Sequence, residues 1–434
     1  PLIDRKVRQL NNQGRKYEFR SSSSDEYTSS TASCFEYPPR QAAAVVRYYS
    51  KGEQQTFNCL ARSHRTNELI ECRHLTKAIL DRTVGTKETG KFTTIDSLEK
   101  ISQHPGIKTD EELKDTTSGD KIAQEGYYAD KDNIGLALHA IWEQTDGWQQ
   151  DGDWSSRSYL LSTAVHHMCL TISKSDQDSG IKITVYDPND TIQHRYIIVR
   201  NSEVLKELTL ADIFNKKDAD FYCPRHHSGV TLLSTTVENQ PGSAMVRIEG
   251  EINSSIVNLL LDYGHFSNGS ISSQIQTKLH SLDGDDLADF LSSKSENSYL
   301  GITNAMLYGH ENCVKTFCQY VMASGLSNDI KQTLLAGKRG GGCHALFMAM
   351  NNGHAKCVQI YLKEIIASNL SNEIKQTLLA GKNGDGFHAL FVAMQKGHDK
   401  CVEIYVKEII ASNFSNEIKK TLLVSRNNND YPAL

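Results

Sequence analysis

No apolar run in the 434 residues approaches the ~20 residues that a helix needs to cross a bilayer. The pieces "IVNLLLDYG" and "YIIVR" are core-sized, so no membrane span is expected. Charge of one sign is not in excess either. Lys and Arg number 47 against 52 Asp and Glu, a net charge of −5 with the signs well mixed. That pattern speaks against a nucleic-acid or polybasic membrane partner. The ten cysteines contain no CxxC pair, and several lie on apolar helical patterns, as reduced, buried thiols do. A reducing workplace and no disulfide framework follow. No basic region followed by an apolar stretch opens the chain, so no secretory signal peptide is expected. The chain begins with Pro1 rather than Met, which suggests that the natural start is missing. The polar, aperiodic "SSSSDEYTSSTAS" (Ser21–Ser33) is expected to be disordered.

What is present is enough for real cores. An apolar share of 38% is ordinary for a globular protein, and the length suggests two to four domains. The last third is a repeat. "LYGHENCVKTF", "NNGHAKCVQIY" and "QKGHDKCVEIY" share a frame in which Gly309, Gly353 and Gly397 are 44 apart, as are Cys313, Cys357 and Cys401. "SNDIKQTLLAGK", "SNEIKQTLLAGK" and "SNEIKKTLLVSR" recur at the same offset. A fixed period of this size means a solenoid of supersecondary units.

Each unit reads as three helices. "HALFMAM" is a short apolar helix ending near the Gly-His turn. In "KCVQIYLKEIIAS", Val358, Tyr361, Leu362, Ile365 and Ile366 have helical spacing. Ser371 or Asn372 can cap a third helix that Gly381 can terminate. The pattern resembles ankyrin repeats lengthened by one helix. "SSIVNLLLDYGH" upstream matches the second helix of an ordinary unit, so the array can begin near residue 245. One more period from Ala389-Leu390 reaches Ala433-Leu434, the last two residues. The array is therefore expected to be truncated. Residues up to about 225 show no period. Alternating runs such as "HRYIIVRN" mix there with helical ones such as "IGLALHAIWEQ", which indicates an α+β domain.

Within that domain "VHHMCLTISKSDQDSGIKITVYDPND" reads as a hairpin. His166, Met168, Leu170 and Ile172 share one strand face, and Ile181, Ile183, Val185 and Asp187 share the other. Folding about the midpoint sets His166 opposite Asp187, Met168 opposite Val185, Leu170 opposite Ile183 and Ile172 opposite Ile181. Directly opposed Cβ atoms lie about 4.5–5.5 Å apart, within reach of a carboxylate–imidazole bond. A shifted register in this long loop would spoil that pairing. His167 points to the other face with Cys169 and Thr171 and is the lesser candidate.

A nucleophile would complete the set. Cys72 in "NELIECRHLTKAILDR" opens a helical pattern marked by Leu75, Ala78 and Ile79, and the free N–H groups and dipole of a helix start favour a thiolate. Cys59 in the strand-like "TFNCLARS" competes with it. Cys34 lies beside the serine-rich stretch, Cys223 precedes a proline, and Cys169 is too near His166 on one strand. The order Cys72, His166, Asp187 is that of papain-like thiol hydrolases. His166 would take the proton of Cys72 and return it to the leaving amine. Asp187 would hold the imidazole, and the Cys72 backbone N–H would donate to the oxyanion. Asn58 and Asn67 are candidates for a second donor. Arg73 and His74 are expected at the surface, and Trp142, Trp148 and Trp154 in the core or a groove wall.

A buried thiol at a helix start and a polar hairpin rim are the bland readings of the same residues. Metal binding is the rival chemistry. His310 with Cys313, His354 with Cys357 and His398 with Cys401 are H-x-x-C pairs. Each unit supplies only two such groups, and the Gly-His pair belongs to the turn, so no zinc is expected. "CPRHH" is weaker still, and "LDGDDLADF" lacks calcium-loop spacing. No metal and no cofactor are expected.

"ECRHLTKAIL", "HHMCL" and "VYDPNDTIQHR", followed by helical repeats with Gly-His turns, resemble the ShET2/EspL family of type III secreted effectors of enteric bacteria. The resemblance implies a fold class, an α+β papain-like cysteine protease domain followed by an all-α ankyrin-like repeat solenoid. It implies the boundaries 1–35 for a flexible segment, 36–225 for the protease, 226–244 for a linker and 245–434 for the repeats. It assigns the nucleophile to Cys72 rather than Cys59, the base to His166 and the acid to Asp187. It further implies delivery into host cytoplasm and cleavage of host cell-death and inflammation adaptors with RIP homotypic motifs. Three clear repeat units are fewer than other members carry, which puts substrate choice in doubt. A monomer is expected. Two other functions stand beside protease: a thiol-dependent deamidase, and a host-protein-binding effector with no catalysis.

Overall fold

The computed structural model describes residues 45–49, 62–72, 74–76, 125–144, 156–163, 166–174, 180–224, 227–234, 245–292, 294–295, 298–299, 301–338 and 342–424. Ser21–Ser33, Cys34, Asn58, Cys59, Arg73, Trp148, Trp154 and Ala433-Leu434 lie outside them. By compactness the chain falls into two units. One comprises Pro1–Tyr127, Lys131–Cys223 and Val230–Met245, the other Tyr128–Asp130, Pro224–Gly229 and Val246–Leu434.

The sheet is built from strands β1 (Val45–Tyr49), β2 (Glu125–Asp130), β3 (Arg157–Thr163), β4 (His167–Lys174), β5 (Ile181–Asp187), β6 (Asp190–Val199), β7 (Gly229–Ser234) and β8 (Met245–Ile248). Of these, β1 and β3 to β6 fall wholly in the first unit, whereas Tyr128–Asp130, Gly229 and Val246–Ile248 count with the second. The strands lie in the order β1-β6-β5-β4-β3-β7-β2-β8, antiparallel from β1 across to β7. Helices α1 (Ile134–Glu143), α2 (Ser202–Lys206), α3 (Leu210–Ile213) and α4 (Lys216–Tyr222) complete this part. The apolar spacing of "IGLALHAIWE" buries Ile134, Ala137, Leu138 and Ile141 along one stripe of α1. Trp142 on the same helix is half-buried.

Strands β3, β4 and β5 are central and covered on both faces. Met168, Leu170 and Ile172 are buried, and so are Cys169 and Thr171 between them. In β5 both the Ile183 and Val185 side and the Thr184 and Tyr186 side are buried. Thr171 satisfies its hydroxyl against Ser158 across the β3–β4 ladder, 2.8 Å away, which is what makes a buried polar position tolerable in a strand.

The second unit is helical and periodic. After α5 (Ser254–Asp262), α6 (Gly269–His280) and α7 (Gly284–Ser292) come three triplets. These are α8 (Gly301–Tyr308), α9 (Glu311–Ala323) and α10 (Asn328–Ala336), then α11 (Ala345–Asn351), α12 (Ala355–Ala367) and α13 (Asn372–Ala380), then α14 (Ala389–Gln395), α15 (Asp399–Ala411) and α16 (Asn416–Leu423). Corresponding helices start 44 residues apart (345 − 301, 389 − 345), the period read in the sequence. Ser371 is the residue that caps α13, its side chain accepting from the Ile374 N–H, and Gly381 ends that helix in the left-handed conformation.

Neighbouring triplets are tied by the same atoms each time. The Tyr361 hydroxyl donates to the Leu335 carbonyl at 2.9 Å and that of Tyr405 to Leu379 at 2.8 Å. Nε2 of His310, His354 and His398 meets the carbonyls of Asp262, Leu307 and Asn351 at 2.7, 2.8 and 3.0 Å. The histidine of each H-x-x-C pair thus ties its triplet to a helix that precedes it, α5 for His310 and a helix of the preceding triplet for His354 and His398. Among the described residues no group of three or more His, Cys, Asp or Glu is gathered as a metal site would require.

The glycine before each of these histidines has positive φ, +75° at Gly353 and +70° at Gly397. At Gly353 an added Cβ would lie 2.9 Å from Nδ1 of His398, whereas at Gly397 it meets nothing within 4 Å. Gly397→Ala should therefore cost only the backbone strain, about 1 kcal/mol. Gly353→Ala should cost about 2–3 kcal/mol, because it must also push His398 off the Asn351 carbonyl. Thermal melting of the two variants checks the order, and equal losses would contradict it.

Candidate active site

The turn that carries Cys72 is shaped by its own polar residues. Upstream, Arg62 bridges to Leu69, and Asn67 turns the chain with φ +58°. The Ser63 hydroxyl accepts from the N–H groups of Arg65 and Thr66, and the Arg62 guanidinium donates to the Asn67 carbonyl at 2.8 Å. Asn67 is thus an exposed turn residue. Asn58, the other candidate oxyanion donor, lies outside the described residues. Cys72 then begins a helical turn in which the Leu75 N–H reaches the Glu71 carbonyl. Residues 77–80, which would continue that helix, are not described.

His74 is not at the surface as expected. It is buried, and its Nδ1 accepts the Glu71 N–H at 3.0 Å. An N–H at a helix start has no partner within the helix, and an imidazole nitrogen three residues on can supply one. The three-residue spacing of Glu71 and His74 was the available signal in the sequence. Thr76, at the end of the same turn, donates its hydroxyl to the His167 carbonyl at 2.9 Å. That bond fastens the Cys72 turn to the start of β4.

His166 sits just before β4, at the tip of the β3–β4 hairpin. The Thr163 N–H bonds the His166 carbonyl at 2.9 Å, and the His166 N–H bonds the Thr163 hydroxyl at 3.1 Å. Asp187 ends β5 and opens the turn to β6. Its Oδ1 accepts the Asn189 N–H at 2.8 Å, and Pro188 sits where its fixed φ suits a tight turn. A register shift between β5 and β6 falls at Val185 and Asp187. The D-P-N segment is therefore a turn that aims its first side chain back at the sheet's end.

The expected pairing of β4 with β5 is corrected by two residues. Leu170 faces Val185 and Ile172 faces Ile183, with Cys169 opposite Tyr186. Continued to the end of β5, this register sets Asp187 opposite Met168 rather than His166. The site survives because a shift of two preserves the face, whereas a shift of one reverses it. His166 and Asp187 are diagonal neighbours, a separation that long side chains span. Nε2 of His166 lies 2.8 Å from Oδ1 of Asp187, with the two residues only 4% and 2% exposed.

Cys72 stands beside His166, and its thiol is among the groups that raise the imidazole. Asp187 occupies Nε2, which leaves Nδ1 as the ring nitrogen not engaged by the carboxylate. Cys72 is partly open to solvent, whereas His166 is buried. His167, as the alternation required, turns elsewhere, with Nδ1 2.8 Å from the Ser162 hydroxyl.

Burial by itself would push the His166 imidazole down. The Asp187 charge, its hydrogen bond and the neighbouring Cys72 overcome that and raise it from 6.5 to about 10. Because the folded value exceeds the ordinary one, the stabilisation is full below about 6.5 and is lost as pH rises through about 10.

One residue at this site was missed in the sequence. Tyr222, the last residue of α4, stacks on His166 with ring centroids 5.0 Å apart and planes 13° from parallel. Its hydroxyl donates to Oδ2 of Asp187. It lies 35 residues beyond Asp187 in a segment with no motif. The only available signal was an aromatic pair closing a short helix before Cys223-Pro224.

The family model described as the ShET2 enterotoxin N-terminal region matches residues 42–279, more than half of the chain. Among curated proteins none matches. Among solved structures, the crystal structure of the yeast ribosomal protein Rps3 in complex with its chaperone Yar1 is similar over 37% of this chain and 96% of that one. The identity is 18% and the TM-score 0.28.

Replacing Asp187 with Asn removes the charge that opposes burial. The imidazole of His166 in Asp187→Asn should then titrate at or below 6.5 instead of near 10. NMR titration of the ring resonances measures this, and a value unchanged from the parent protein would contradict the assignment of the shift to Asp187.

Proposed function

The chain belongs to the ShET2 enterotoxin family, and from that premise we propose that its sheet-bearing part is a papain-like cysteine protease with Cys72, His166 and Asp187 as its working residues. The observation that carries this reading is the buried His166–Asp187 pair, hydrogen-bonded at 2.8 Å, with Cys72 beside the imidazole. The arrangement is buried at the carboxylate end and partly open at Cys72.

In the proposed reaction, Nδ1 of His166 takes the proton of Cys72, and the thiolate attacks the carbonyl carbon of a peptide bond. The carbonyl electron pair moves onto oxygen, where the backbone N–H of Cys72 donates to it. The imidazolium then protonates the leaving nitrogen, the C–N bond breaks, and an acyl-thioester remains. Water attacks that ester with His166 again as base, releasing the acid and restoring the thiol. Asp187 holds the ring in one orientation and stabilises its charge throughout. The raised His166 value supports the imidazolium as the species standing beside the sulfur at neutral pH.

The periodic helices are read as ankyrin-like repeats that recruit the substrate, since stacked repeats offer a continuous protein-binding surface. Family membership supports a bacterial enterotoxin or secreted effector. Delivery by type III secretion into host cytoplasm, and cleavage of cell-death and inflammation adaptors with RIP homotypic motifs, extend that reading. No helix among the described residues is long and apolar enough to cross a membrane.

Host lysate treated with the full chain and with Cys72→Ser, followed by mapping of new peptide N-termini, tests this reading. Cleavage should fall by at least ~10³-fold in the variant, as for loss of a nucleophile elsewhere. Undiminished cleavage would exclude Cys72 as nucleophile. A Cys72-dependent gain of 1 Da on side-chain amides with no new N-termini would replace protease by deamidase. No Cys72-dependent labelling by a thiol-reactive probe would leave a binding protein.

A further inference from the structure

Asp187 is a buried carboxylate with donors on both oxygens. Oδ1 accepts from Nε2 of His166 and from the Asn189 N–H, each at 2.8 Å. Oδ2 accepts from the hydroxyl of Tyr222. The same tyrosine lies flat on the His166 ring. A side chain that grips both partners of an ion pair, one through its ring and one through its hydroxyl, restricts motions that neither partner prevents alone. Rotation of the carboxylate about its own bond would carry Oδ1 away from the imidazole. Rotation of the imidazole would carry Nδ1 away from the sulfur.

Tyr222 is itself held. The Phe214 ring meets it edge-on with centroids 5.4 Å apart. Helix α4 is started by Asn215, whose side chain accepts the Asp218 N–H. Its far end is gripped by Lys131, which donates to Asp220 at 2.9 Å and to the Cys223 carbonyl at 3.2 Å. The helix therefore presents Tyr222 inward at a defined height, while its neighbour Phe221 is 60% exposed.

We propose that Tyr222 is a positioning residue of this site, its ring fixing the plane of the His166 imidazole and its hydroxyl fixing the Asp187 carboxylate. The proposal rests on the reading that Cys72 and His166 exchange a proton. An aromatic face under a cationic ring favours the imidazolium electrostatically, and a hydrogen bond to a buried carboxylate favours its ionised form. Both effects favour the state in which the proton sits on His166 and the negative charge on Cys72. A merely structural tyrosine would affect melting and leave that proton balance alone.

The test is alkylation of Cys72 by iodoacetamide across pH, followed by peptide mass mapping on the full chain. Tyr222→Phe keeps the stack and loses the hydroxyl, and the pH midpoint of alkylation should rise by about one unit, the size of one hydrogen bond to a charged group. Tyr222→Leu loses both, and alkylation at pH 7 should fall by roughly tenfold or more, a change equal to one such unit. Melting curves establish that each variant is folded, and Tyr222→Phe, which keeps the ring volume, decides the matter if Tyr222→Leu is not. A folded Tyr222→Phe with the parent's midpoint and rate overturns the proposal. His166→Ala separates the two readings. If it leaves the pH profile of Cys72 unchanged, the thiol–imidazole reading fails. If it abolishes the profile while Tyr222→Phe leaves it intact, only the role of Tyr222 fails.

Discussion

Everything distinctive about the sheet-bearing part depends on one buried ion pair, that of His166 with Asp187. Two groups that are almost wholly removed from water would be costly as isolated charges. They are tolerable here because each is surrounded by further partners. The carboxylate has the Asn189 N–H and the Tyr222 hydroxyl besides the imidazole. The imidazole has the carboxylate on one nitrogen, Cys72 beside it and an aromatic face against its plane. The local fold serves that arrangement. A tight β3–β4 turn delivers the histidine, a proline-containing turn delivers the aspartate, and a short capped helix delivers the tyrosine.

The covered sheet around the pair is what removes it from water, and the partners offset the cost of that burial. Strands β4 and β5 are buried on both faces, so the low-dielectric surroundings that raise the pair's interaction are continuous with the core. The thiol stands outside that shelter. Cys72 begins a helical turn tied to β4 through Thr76 and His167, with its side chain half-open to solvent. Cys72 is thus partly open to solvent while the imidazole and carboxylate are held in the interior.

The helical unit follows a different logic. Its stability comes from repetition, with the same tyrosine, lysine and histidine bonds recurring at each period. Lys331 and Lys375 reach back to the carbonyls of Met322 and Ile366 as Tyr361 and Tyr405 reach to those of Leu335 and Leu379. In such an array each unit stabilises its neighbours. The histidines of the H-x-x-C pairs, which look like metal ligands on paper, are likewise spent on carbonyl groups of the preceding helices.

Repetition and alternation are one-dimensional properties, and the sequence alone determined what they control. The 44-residue period, a cap at Ser371 or Asn372, the stop at Gly381 and the face shared by His166 and Asp187 were all legible there. So was the separate orientation of His167, because side chains alternate along any strand. Register, burial of His74 and the place of Tyr222 were decided only by tertiary structure. The length of a hairpin loop does not specify which rungs pair, and a shift of two leaves the polar pattern unchanged while moving every partner. His74 is buried because its nitrogen completes a helix start, a need created by the backbone around it. Tyr222 joins the site because α4 is docked by Lys131 through Asp220, a contact 89 residues apart in the chain that no local pattern encodes.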